Sequence, residues 1–132
     1  MKRTVLDSYA VITYLERQQG YENVSAVFKE SVDKNREIYL SVINWGEVIY
    51  HALRTGGDLK AQGAIDVMAA LPIEIVEADE ELTLHTAQLK ASHRMSYADC
   101  FAAALAMKKK CELVTGDKEF KQVEKEVKIR WI

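Results

Sequence analysis

An α/β fold, with a parallel sheet covered by helices on both faces, is what this sequence predicts. Three observations predict it. Short runs of strand-forming residues alternate with longer stretches of helical periodicity. Two of the runs, Thr4-Val5-Leu6 and Leu113-Val114, lead within a few residues to an acid, Asp7 and Asp117, and each acid is followed by a new helical pattern. The 132 residues hold one proline, no internal repeat and nothing resembling an interdomain linker, so one domain over residues 1–132 is expected.

The elements follow in order. A strand near 3–6 runs into a helix near 8–18. Tyr21, Val24, Val27, Phe28 and Val32 recur at helical spacing and predict a helix over 22–35. The stretch EIYLSV (37–42) is rich in strand formers. Helices over 44–55 and 58–70 are separated by a turn at Gly56-Gly57, and the second carries Ala61, Ala64, Ile65 and Met68 on one face. The alternating PIEIVEA (72–78) predicts a half-exposed strand. Helices over 79–92 and 96–109, a strand over 111–115, a short helix over 117–124 and a last strand in VKIRWI complete the chain. Right-handed crossovers are expected between such strands. In open sheets of this kind function gathers beyond the carboxyl ends of the strands, where Asp7 and Asp117 would stand.

Composition narrows the function classes. Apolar content of 48% and charged content of 29% suit a soluble globule. No apolar run approaches the roughly 20 residues that span a bilayer, and the N-terminus lacks the pattern of a signal peptide. A cytoplasmic protein with no membrane partner is expected, its two cysteines, Cys100 and Cys111, being reduced core thiols. The net charge of −2 is unevenly spread: residues 84–132 carry 10 Lys and Arg against 6 acids, and residues 1–83 carry 8 against 14. The basic half includes Lys108-Lys109-Lys110, Lys118, Lys121, Lys125, Lys128 and Arg130, which make either a solvated face or a phosphate-attracting patch.

Each prominent acid has an ordinary structural role open to it. Asp7, Asp79 and Asp117 stand at helix starts, where a carboxylate accepts bonds from free amides. SYAD (96–99) has the form of a capping box, with Ser96 as cap and Asp99 at the third position, and NWGE (44–47) does much the same with Asn44 and Glu47. Two features argue for more. Gly116 spares bulk where a ligand would approach, and Glu47 and Asp99 open helices of an apolar, inner kind. If Asp7, Glu47, Asp99 and Asp117 converge, their mutual repulsion calls for compensation, and a hard divalent cation is the usual one for an all-oxygen set.

Other chemistries lack their motifs. His51, His85 and His93 have no HExxH spacing and no cysteine partners, GGDLKAQG lacks the ending of a phosphate loop, and no GxSxG occurs. Asp7 is followed by no second Asp two residues on, which argues against an aspartyl phosphatase and against a receiver-like signalling domain.

These residues resemble the PIN-domain nucleases. The resemblance rests on VLDSYAVITYLE, on Glu47 after SVINWG, on MSYADCFAAALAMKK around Asp99 and on ELVTGDKEF, and it covers nearly the whole chain. The small size looks most like VapC-type toxins of toxin–antitoxin pairs. The resemblance implies strand order 3-2-1-4-5, which brings the ends holding Asp7 and Asp117 side by side at the topological switch point. It implies that Asp7, Glu47, Asp99 and Asp117 are the catalytic acids and bind Mg²⁺ or Mn²⁺, with Ser8 and Thr115 as supporting polar groups. Asp79 would follow a strand on the far edge and serve as a cap. The implied activity is metal-dependent endonucleolytic cleavage of RNA. Trp45, Arg94 and Lys118 are candidate RNA contacts, Trp45 alternatively packing in the core. A cognate antitoxin and a homodimer are the implied partners. The alternative is a catalytically silent PIN-like scaffold that binds RNA or protein.

Overall fold

The computed structural model describes residues 2–132. Five parallel strands form one sheet: β1 (Arg3–Leu6), β2 (Glu37–Ser41), β3 (Ile73–Val76), β4 (Glu112–Thr115) and β5 (Ile129–Trp131), in the order β3-β2-β1-β4-β5. This is the order implied by the family resemblance. Helices α1 (Ser8–Leu15), α2 (Tyr21–Lys34), α3 (Val42–Ala70), α4 (Glu80–Ser92) and α5 (Tyr97–Lys109) supply the crossovers, with a short 3-10 helix (Lys118–Val123) between β4 and β5.

Alternation along the strands divides the core into two layers. Val5, Tyr39 and Leu113 pack with α4, α5 and the 3-10 helix, while Leu6, Ile38, Leu40 and Val114 pack with α1, α2 and α3. Both faces of the central strands are therefore apolar, as a buried parallel sheet requires. β3 is an edge strand, and Ile75 stays 41% exposed there.

The register sets up the functional end. Leu6 pairs with both Leu40 and Val114, so the next residues, Asp7, Ser41 and Thr115, emerge at one level from three adjacent strands. α3 begins directly at Val42, and Ser41 is its cap, its hydroxyl accepting from the Ile43 amide at 3.2 Å. Asn44 is thus not the cap that the NWGE pattern indicates; it lies in the first turn, fully buried. α3 breaks at Gly57 (φ 76°, ψ −165°), a conformation that a residue without Cβ adopts at little cost, so the two predicted helices meet at a single-residue kink. The expected helix over 117–124 is a 3-10 turn, and the last strand is limited to Ile129–Trp131.

Cys100 is buried, Cys111 is half-buried, and both are free thiols. The histidines sit at the boundary as expected; His51 meets Glu16 at 2.8 Å. No helix among the described residues is long and apolar enough to cross a membrane.

Candidate metal centre at the carboxyl end of the sheet

Asp7 leaves β1 and caps α1. Its Oδ1 accepts from the Ala10 amide at 2.8 Å, and its Oδ2 accepts from the Thr115 hydroxyl at 2.5 Å. Thr115 Oγ1 in turn accepts from the Asp117 amide at 3.0 Å. Asp117 caps the 3-10 helix, its Oδ1 accepting from the Glu119 amide at 2.9 Å. Ser96 caps α5 and accepts from the Asp99 amide at 3.1 Å, which places Asp99 on the first turn. Capping and convergence are therefore compatible: the parallel topology aims these helix starts at one end of the sheet. Asp79 caps α4 beyond the edge strand β3, as expected.

Carboxylate oxygens of Asp99, Asp117 and Glu119 lie within 4.8 Å of one another. Asp7 lies outside this trio but feels its charge, and Glu47 in turn acts on Asp7. Burial pushes the Asp7 carboxyl up to about 7 against the opposing hydrogen bonds of Thr115 and Ala10, and Asp117 and Glu47 push it further. Burial also pushes Asp99 up, to about 8, aided by a hydrogen bond with Glu119 and by the charges of Asp117 and Asp7, with Ser96 opposing. Among the described residues, none of these five acids makes an ion pair. The negative charge is thus left for something outside the chain to balance, and an all-oxygen set of this kind fits a hard divalent cation.

Glu47 is held rather than free. Ser8 Oγ donates to its Oε1 at 2.8 Å, and Asn44 Nδ2 donates to the same oxygen at 3.0 Å. Asn44 Nδ2 also reaches the Ala98 carbonyl at 3.2 Å, tying α3 to the first turn of α5. Ser8 and Thr115, the two supporting polar residues, each fix the carboxylate of another residue.

Glu119 escaped the sequence reading. Asp117 stands outside the 3-10 helix as its cap and accepts from the Glu119 amide, which sets Glu119 beside it, and the first turn of α5 brings Asp99 to the pair. The tightness at Gly116 also has a different owner from the expected ligand: a Cβ there would stand 2.4 Å from Tyr9 Cε1, so the Tyr9 ring occupies that space.

Trp45 is half-buried and packs on the α1–α3 layer of the core. Arg94 is exposed, its backbone amide and carbonyl both bonded to the Gln122 side chain, at 3.0 and 3.1 Å. Lys118 is exposed immediately after Asp117.

A family model described as the PIN domain matches residues 4–126, and the chain belongs to that family. No curated protein matches the sequence. The fold is similar to solved structures that include toxin–antitoxin complexes. VapBC2 from Rickettsia felis, bound to a DNA fragment of its promoter, is 19% identical with TM-score 0.77 over 98% of each chain. FitAcB from Neisseria gonorrhoeae is 21% identical with TM-score 0.68 over 96% of this chain and 95% of that one. VapC20 from Mycobacterium tuberculosis, a toxin that cleaves the sarcin-ricin loop, is 14% identical with TM-score 0.73 over 91% of this chain and 94% of that one.

Proposed function

We propose that this PIN-domain chain is a metal-dependent endoribonuclease and the toxin of a toxin–antitoxin pair. The observation that carries the proposal is the gathering of Asp7, Glu47, Asp99, Asp117 and Glu119 at the β1/β4 switch point without a basic partner among the described residues. Asp99, Asp117 and Glu119 would hold Mg²⁺ or Mn²⁺, with Asp7 and Glu47 completing the negative field. Such a cation, when bound, supplies hydroxide at neutral pH and stabilises charge on a phosphodiester. The chain's own part is preorganisation. Thr115 fixes Asp7, and Ser8 and Asn44 fix Glu47, so the acids are held in place before substrate arrives.

RNA as substrate is supported by the family and by the similar fold of a toxin that cleaves the sarcin-ricin loop. An antitoxin partner is supported by the similar folds of toxin–antitoxin complexes. An antitoxin side chain of positive charge at the acidic site would balance the same carboxylates electrostatically. In this reading the exposed side chains of Lys118, next to Asp117 in the chain, and of Arg94 would meet phosphates of the bound strand.

Incubation of total RNA with the purified protein, in Mg²⁺, Mn²⁺ or EDTA, tests the reading. Discrete new 5′ ends that require metal are expected, and they vanish in folded Asp7→Asn and Asp99→Asn proteins. Full cleavage by both variants would remove these acids from the mechanism. No cleavage by folded, antitoxin-free protein would favour a binding scaffold.

A further inference from the structure

Four basic residues of the C-terminal half gather away from the acidic site. At the opposite edge of the sheet, where the strands begin, lies an open cleft of about 1120 Å³. Seven of its lining residues are basic and three acidic. Lys109, Lys110, Lys128 and Arg130 come from the basic half, while Lys2, Arg3 and Arg36 come from the other end of the chain. Glu30 and Glu112 are committed to Arg36 and Arg130, at 2.8–3.8 Å, and Thr4 donates to Glu112 at 3.0 Å. Those pairs stiffen the floor. They leave Lys2, Arg3, Lys109, Lys110 and Lys128 without an ion pair among the described residues. Only Glu126 among the lining acids remains to oppose them.

The lysines at the end of α5 have a local explanation, since cations favour the C-terminal pole of a helix. That accounts for Lys108, Lys109 and Lys110. It does not account for Lys2, Arg3, Arg36 and Lys128, which three other segments bring to the same cleft.

A second observation joins the cleft to the acidic site. The β4–β5 crossover runs from one pole of the sheet to the other. It carries Lys118, Lys121, Lys125 and Lys128, all exposed, at intervals of three and four residues. Trp131 stands on the adjacent edge strand, 37% exposed, its indole N–H donating to Glu124 at 3.3 Å. Spaced cations and an exposed aromatic tied to Glu124, the neighbour of Lys125, suit a single strand, whose phosphates are regular and whose bases offer a stacking face.

We propose that this cleft and the lysine row leading into it bind the phosphate backbone of single-stranded nucleic acid that extends from the acidic site. The proposal rests on the nuclease reading only for the polymer class. The cleft would grip the strand some 15 Å from Asp99, the rise of the ten residues of α5 that separate Asp99 from Lys109.

The test is equilibrium binding of a labelled single-stranded RNA oligonucleotide in EDTA, with salt varied, so that no cleavage is needed. A Lys110→Ala, Lys125→Ala, Lys128→Ala protein is expected to bind about tenfold or more weakly at low salt, with a log–log salt slope shallower by about 2. The matching triple Lys→Arg protein is expected to bind like wild type, which separates loss of charge from loss of fold. Unchanged affinity and slope in the alanine protein would overturn the proposal. So would loss of binding in the arginine protein, or equal competition by polyglutamate, which would make the surface one for acidic proteins. Loss of metal-dependent cleavage would leave this result standing, and loss of binding here would leave the acidic centre standing.

Discussion

The Thr115 hydroxyl donates to Asp7 Oδ2 at 2.5 Å across the β1–β4 pair, joining residues 108 positions apart. Leu6 and Val114 are partners in the register, so the residue after each is level with the other. One hydroxyl thereby holds a buried carboxylate and, as acceptor, the Asp117 amide. The two acid-terminated strands are locked to each other before any ligand is considered.

Thr115→Val keeps the shape and removes the hydroxyl. Asp7 loses an interaction that favours its ionised form, so its carboxyl climbs further above 7. The Asp117 amide loses its acceptor. A destabilisation of about 1–3 kcal/mol is expected, larger at high pH, where Asp7 is ionised. Urea unfolding in mild acid and mild base checks it; an equal loss at both would separate Thr115 from the charge on Asp7.

Asp7 and Asp99 both titrate above the ordinary aspartate value of 3.8, near 7 and 8. Between about pH 4 and pH 8 the native state therefore holds more protons than the unfolded chain, and stability falls as pH rises. The metal-free protein is expected to lose stability on the order of a few kcal/mol from about pH 5 to about pH 8.5. Mg²⁺ or Mn²⁺ is expected to raise the Tm strongly at the upper pH and little at the lower, because the ligands must be deprotonated. A Tm that rises with pH without metal would contradict the buried acids.

Gly116 admits the Tyr9 ring, with 2.4 Å and 2.9 Å left between a hypothetical Cβ and its Cε1 and Cζ. Gly116→Ala forces the ring outward, at a cost of about 1–3 kcal/mol. In Tyr9→Ala the same substitution is expected to cost far less. A double-mutant cycle read by denaturant unfolding checks the coupling; strictly additive costs would place the strain elsewhere.

Asn44 ties Glu47 to the Ala98 carbonyl through one amide nitrogen. Asn44→Ala removes the bond to that carbonyl and leaves Glu47 held by Ser8 alone, with an expected loss of about 1–3 kcal/mol. Metal affinity, read by calorimetric titration, is expected to weaken as well. Unchanged affinity alongside reduced stability would limit Asn44 to bracing α3 against α5.

Local chemistry determined most of the elements and the caps. Alternation, helical spacing and the acids at strand ends are short-range signals, and Asp7, Asp79, Ser96 and Asp117 cap the helices that their positions indicate. The family motifs carried the strand order. Tertiary structure decided what those residues meet. Asn44 left the cap role to Ser41 because α3 starts as soon as β2 ends, and Glu119 joined Asp99 and Asp117 because the fold sets the turn after β4 beside the first turn of α5. The sequence offered a phosphate-attracting patch in the basic half but not the cleft, for the same reason: Lys2, Arg36 and Lys128 are far apart in the chain and become neighbours only where the parallel strands begin. Spacing along a chain reports faces of single elements, whereas the sum of charge at a point depends on which elements the sheet sets side by side.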